Sequence, residues 1–271
     1  MYVEPRSVVF RSLFLQSFWN YAKFQNIGVL HIVRPALRII YQKNELLYKR
    51  ALARNLEGFN CNPVMSLYSI GAMLKQEEKL SVCTKLNFYQ EEREWRIIRA
   101  STANTAASLG DRLFWAVLKP LSLVICIFVL FAGQIQILHD SGPTKETLFI
   151  ILLALISSLL IYDIPAFAIR AKGFYDGYNG TENNFYGLIN LNWNKAISFL
   201  KTLGQLFTLA LFAYGVYSRF KGTVVDADTI MKASLLLAFV ILTIFMKKLN
   251  MPSIVLYISG TVLFALASFI A

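Results

Sequence analysis

Beyond Pro120 the chain is dominated by apolar runs, at residues 121–138, 147–169, 203–217, 230–246 and 253–271, separated by short polar segments. A helix rises about 1.5 Å per residue, so a run of eighteen covers most of a hydrocarbon core about 30 Å thick. In lipid every backbone N–H and C=O needs a partner within the protein, which leaves helices as the economical way to cross. These runs predict an all-α fold, a polytopic helical membrane protein with about five transmembrane spans. The second is expected to bend or end near Pro165, and the third is short for a crossing. Hydrophobic residues make up 56% of the chain, above the usual range for a soluble domain.

Charge orients this arrangement. The formal net charge is +11, and most of the Lys and Arg precede the first apolar run. Such a surplus holds its side of the membrane in the cytoplasm, so the N-terminus is expected to be cytoplasmic, with basic loops inside and nearly neutral loops outside. The basic residues do not form an aromatic-interleaved stripe on a soluble module, which argues against nucleic acid as a partner. No cleavable signal peptide is expected, because Glu4, Arg6 and Arg11 interrupt the first apolar stretch. Cys61, Cys83 and Cys126 suggest neither a disulfide framework nor a zinc site. Two regions follow: 1–120, of amphipathic and re-entrant helices, and 121–271, which spans the membrane.

Within the first region Phe10, Leu13, Phe14, Phe18, Tyr21 and Phe24 recur at helical spacing and predict an amphipathic helix. A second, more basic one is expected over 34–57. Asn60-Cys61-Asn62-Pro63 then breaks helix, since the residue before proline avoids the α region. The apolar stretch 64–74 is about half a crossing, the length of a re-entrant half-helix. Residues 171–201 read as a loop with some helix, although Gly173 and Gly177 have the spacing of close helix packing.

No catalytic, cofactor-binding or metal-binding motif is present, and His31 and His139 read as packing or surface groups. The chemistry on offer is uncharged and polar: Gln16, Trp19, Asn20 and Gln25 in the first amphipathic segment, Asn60 and Asn62 at the break. Amides both donate and accept, which suits sugar hydroxyls, and an aromatic face packs on a pyranose. The same amides could instead cap helix ends. Asp111 reads as the cap of the helix leading into the first span or as part of a gating or polar path, and Glu77 and Glu78 as a solvated acidic pair or part of that path. Asp163, near the end of an apolar span, either lines a cavity or pairs with Arg170.

The segments LFLQSFWNYAKFQNIG at 13–28, RPALRIIY at 34–41, NLEGFNCNP at 55–63, GAMLKQEE at 71–78, SLGDRLFWAVLKP at 108–120 and RAKGFYDGYNG at 170–180 stand in this order along the chain. Together they resemble subunit IID of the mannose/fructose/sorbose family of bacterial sugar phosphotransferase systems. The resemblance implies a non-phosphorylated subunit of the bacterial inner membrane that moves a hexose-like sugar with subunit IIC. Soluble IIA and IIB domains would carry the phosphate, and no cofactor is implied. It sets Gln16, Asn20, Gln25 and Asn60 where the family places amides near the sugar path, which favours binding over capping. The chain departs from the family at TANTAAS (102–108), at Asp163 and in the fourth span. Those departures keep open a second class, a non-transporting scaffold or sensor on the same fold.

Overall fold

The computed structural model describes residues 4–84, 86–133 and 144–220. The expected spans at 230–246 and 253–271, and the loop around His139, lie outside them. The chain divides into two units, Met1–Leu211 and Phe212–Ala271, and the packing below belongs to the first.

Among the described residues every regular element is helical. Helix α1 (Pro5–Ser12) starts on a proline and stops well short of the expected end at Phe24. Residues 13–19 continue as single turns, Ser17 donating its backbone N–H to Phe14 and Trp19 to Gln16. Asn20 explains the rest. Its side chain accepts from the Lys23 N–H at 2.9 Å and donates to the Phe24 carbonyl at 3.1 Å, giving the backbone a local alternative to helix. Phe24 sits in the left-handed region (φ 59°), closing the turn. Gly28 lets this segment fold back, because a Cβ there would collide with the Leu15 carbonyl.

The helix expected over 34–57 is two: α2 (Asn26–Ile40) and α3 (Glu45–Asn55). Asn44 makes the break by capping α3, its Oδ1 accepting the Leu47 N–H at 3.0 Å. The non-helical stretch before Pro63 is present, and α4 (Ser66–Val82) follows with 17 residues, longer than the half-helix expected over 64–74. From Ser66 to Leu74 it is buried on every side, so its apolar character reflects a central position in the bundle.

Next, α5 (Phe88–Gly110), a π-helical stretch (Asp111–Leu118) and α6 (Lys119–Ala132) run on as one 45-residue helix. Asp111 is therefore not a cap. The alanine-rich approach at 102–108 has no proline to stop the helix, so it passes straight through Gly110. Helix α7 (Lys145–Asn179, 35 residues) also continues through Pro165, which packed membrane helices tolerate. It consumes the front of the expected 171–201 loop, and α8 (Trp193–Phe220) consumes the back.

Helix α4 packs chiefly against α7 and α5. The α4–α7 contact is glycine-built, as the 173/177 spacing suggested. A Cβ on Gly71 would lie 2.6 Å from the Phe174 carbonyl oxygen, and one on Gly177 would strike the Tyr68 carbonyl. Among the described residues three helical stretches, Phe88–Ala132, Lys145–Asn179 and Trp193–Gly215, are long and apolar enough to cross a membrane. In the most apolar 18-residue window of α7 only 6% is buried within the chain, so its leucines and phenylalanines are free to meet lipid.

Candidate functional site

The amides singled out from sequence fall into two groups with different surroundings. Gln25 is 1% exposed. Its Nε2 donates to the Cys61 carbonyl and its Oε1 accepts the Cys61 N–H, both at 2.9 Å. The Gln25 backbone N–H reaches the Phe59 carbonyl at 2.8 Å. Asn20 Nδ2 donates to Asn26 Oδ1 at 2.8 Å, and Asn26 Nδ2 to the Leu56 carbonyl at 2.9 Å. These bonds sew residues 20–26 to the break at 56–61. Asn26 was overlooked in the sequence, where nothing separates it from its amide neighbours. Gln16, Trp19 and Asn60 are exposed around this seam, Trp19 stacked edge-on against Tyr21.

Asn62 belongs to the second group. It is buried, its Oδ1 accepting the Val64 N–H and its Nδ2 donating to Asp111 Oδ1, each at 3.1 Å. A Cβ on Gly110 would overlap the Asn62 side chain, so the glycine before the π-helical stretch makes room for the amide. Such stretches recur where helices carry function, because widening the turn re-aims the side chains that follow. Here they include Trp115.

Asn62, Trp115, Tyr162, Asp163 and Arg170 line a partly open cavity of about 310 Å³, with Leu13 and Val64 among its apolar lining. Asp163 and Arg170 are seven residues apart and share one face of α7. Asp163 lines this cavity together with Arg170 and, among the described residues, makes no salt bridge within 4.0 Å. The buried Arg170 Nε has no hydrogen-bond partner among the described residues. The cavity thus offers an amide, a carboxylate, a guanidinium and three aromatic side chains, Trp115, Tyr162 and Phe167, at one place. Trp115 was missed because only the packing of α7 against the π-helical stretch brings it to Asp163; Tyr162, beside Asp163 in the chain, was simply overlooked.

Glu77 and Glu78 are not a solvated pair. Glu77 is fully buried, accepting from Arg54 Nε at 3.0 Å, Arg54 Nη2 at 2.6 Å, Tyr41 Oη at 2.7 Å and Asn55 Nδ2 at 2.8 Å. Burial opposes the Arg54 charge, but the bonds to Glu77 prevail and raise its pKa. Burial, then the Glu77 charge, pushes the Tyr41 hydroxyl up as well. Burial raises the Cys61 thiol in the same direction. Glu78 is partly buried between Lys75 (3.3 Å) and the Tyr178 hydroxyl of α7. Among the described residues no set of three His, Cys, Asp or Glu side chains could hold a metal ion.

Apolar helices of bilayer length, one of them packed through glycines onto the buried helix α4, define a helical integral membrane protein. The family described as "PTS system mannose/fructose/sorbose family IID component" matches residues 3–270, and the chain belongs to that family. The mannose-specific EIID component of Escherichia coli K12 is 27% identical over 132 residues, 49% of this chain and 45% of that protein. The fructose permease IID component of Bacillus subtilis 168 is 26% identical over 136 residues, 49% of this chain and 46% of that protein. The alignments thus span about half the length of these curated relatives. Among solved structures, one described as a membrane protein superposes with a TM-score of 0.61 at 22% identity, covering 98% of this chain and 95% of that one. The cryo-EM structure of the mannose transporter ManYZ with microcin E492 gives a TM-score of 0.50 at 20% identity, covering 98% and 94%. Both likenesses concern the fold.

Proposed function

We propose that this chain is the membrane translocation subunit of a mannose-type sugar phosphotransferase system, moving a hexose-like sugar together with a IIC subunit. The family match across residues 3–270 carries the reading. In it the chain is non-catalytic, and soluble IIA and IIB domains handle the phosphate. The polar cavity supplies the chemistry a sugar needs, with hydrogen-bonding groups at Asn62, Asp163 and Arg170 and an aromatic face at Trp115. Gln16, Trp19 and Asn60, exposed at the seam, form the outer part of the path. Asn20 and Gln25 hold that rim in shape, and Glu77, Glu78 and Asp111 brace the helices beside it. In this reading the protein sits in the bacterial inner membrane with about five spans and a cytoplasmic N-terminus. Residues 1–120 enter from that face, with α4 as the re-entrant element, and 121–271 form the spanning part.

A scaffold or sensor role is favoured by one observation: the helix from Phe88 to Ala132 runs unbroken where an alternating-access device needs a hinge. Vesicles containing this chain, its IIC partner and the soluble domains separate the two. The transport reading expects phosphoenolpyruvate-dependent uptake of a hexose, reduced at least about tenfold by Asn62→Ala or Asp163→Ala and moderately by Asn60→Ala. A stable complex that takes up no hexose sinks it and leaves the scaffold.

A further inference from the structure

On the opposite flank of the turn segment, between α1, α2 and the start of α3, lies an open groove of about 860 Å³ that shares no lining residue with the polar cavity. Phe18, Ile27 and Leu30 make it apolar along one side, and Arg11, Arg34 and Arg38 make it cationic along the other. Its one acid, Glu45, is taken by Arg38 at 2.8 Å. Arg11 donates to the His31 carbonyl and to Ser7 Oγ, both at 3.4 Å, neither of them charged. Arg34 is exposed and makes no ion pair among the described residues. Two guanidinium charges are therefore unneutralised beside an apolar wall. Burial, then the neighbouring Arg11, holds the His31 imidazole below its ordinary pKa, so it adds no charge near neutrality.

What surrounds the groove indicates the ligand. Phe10, Trp19 and Tyr21 are 63%, 44% and 91% exposed on the same segment, a set of rings that in a membrane protein sits at headgroup depth. A guanidinium fork matches two oxygens of a phosphate, and an apolar wall next to it fits the first part of an acyl chain. A free phosphate ion would leave that wall uncovered, and a zwitterionic headgroup would bring its ammonium against the arginines.

We propose that this groove is a binding site for an anionic phospholipid, its phosphate held by Arg34 and Arg11 and its glycerol-proximal chain laid on Phe18, Ile27 and Leu30. The inference rests on membrane embedding and not on sugar movement, so a chain that fails to transport still binds the lipid.

The test uses the full chain, alone and co-purified with its IIC partner in neutral detergent, titrated by native mass spectrometry. The probes are dioleoylphosphatidylglycerol, dioleoylphosphatidylcholine and inorganic phosphate. Phosphatidylglycerol is expected to bind at least about tenfold tighter than phosphatidylcholine, and inorganic phosphate to compete weakly. Arg34→Gln should weaken phosphatidylglycerol about fivefold and Arg11→Gln/Arg34→Gln about twenty-five-fold. Arg34→Lys, which keeps the charge but loses the fork, should weaken it less than Arg34→Gln does, and Arg50→Gln outside the groove should change it less than twofold, with all variants eluting as the parent does. Equal binding of the two lipids, full competition by inorganic phosphate, or indifference to both glutamine variants overturns the proposal. So does loss of the lipid whenever IIC is bound, which would make the groove a subunit interface.

Discussion

Glu77→Gln tests whether the buried ion pair holds the α2–α3 layer onto α4. The parent carboxylate has no solvent exposure and the Arg54 side chain only 3%, so neither charge can turn to water when the other is lost. Glutamine keeps the shape but removes the charge behind two bonds from Arg54. Charge-assisted bonds contribute about 1.5–3 kcal/mol each, and removing one partner of a buried pair costs about 3–5 kcal/mol. Glu92, 3.3 Å from Arg54 but 20% exposed, recovers part of this. We therefore expect a loss of about 3 kcal/mol, at the lower end of that range. For a unit of this size that lowers the melting temperature by about 6–12 °C, read as loss of the monodisperse peak after heating in detergent. The Arg54→Met/Glu77→Met double variant should recover at least half of the loss, because it leaves no charge stranded. Tyr41 still donates to the Glu77 carbonyl at 3.1 Å, and Asn55 to the Ala51 carbonyl at 2.9 Å, so neither is orphaned. A shift under about 2 °C for Glu77→Gln, or a double variant no better than the sum of its singles, refutes the reasoning.

Gly177→Ala should destabilise by about 1–3 kcal/mol, because the added methyl meets the Tyr68 carbonyl and backbone must move; thermal unfolding in detergent checks it, with Gly204→Ala, whose added Cβ would make only an ordinary contact with Leu121 at 3.7 Å, as the control. Asn44→Ala should cost about 1 kcal/mol through loss of the α3 cap, and local hydrogen exchange at Leu47 should speed up accordingly. Alkaline pH should weaken the fold. Tyr41 and Cys61 have folded pKa values raised above their ordinary 10.0 and 9.0. Their stabilisation is complete below those values and is lost as pH climbs through them toward the folded ones. The melting temperature should be level to about pH 8.5 and fall beyond it, with Cys61→Ala and Tyr41→Phe each flattening the decline; a decline of the same slope in both variants contradicts the assignment.

Several elements were legible before any coordinates. The helix at 121–132 and the apolar body of α7 follow from hydropathy and length alone, because in lipid the backbone has no alternative to internal hydrogen bonding. The break before Pro63 and the close packing at Gly173 and Gly177 follow from properties those residues carry anywhere. The amides stand out in the sequence as uncharged polar chemistry of the front half, but sequence left open what each would touch.

Contacts decided the rest. Periodicity through Phe24 predicted a long helix, yet Asn20 and the approach of Leu15 to Gly28 turned the chain back, which depends on what α2 presents across the fold. The apolar stretch before Leu74 gave no sign that its helix would continue through Glu77, since a carboxylate enters a core only when Arg54, Tyr41 and Asn55 arrive from elsewhere to meet it. Asp163 and Trp115 became neighbours of Asn62 only through the docking of α7 beside the π-helical stretch. Local order and solvent preference are written along the chain; which polar groups share a cavity depends on residues a hundred positions apart, and only packing brings them together.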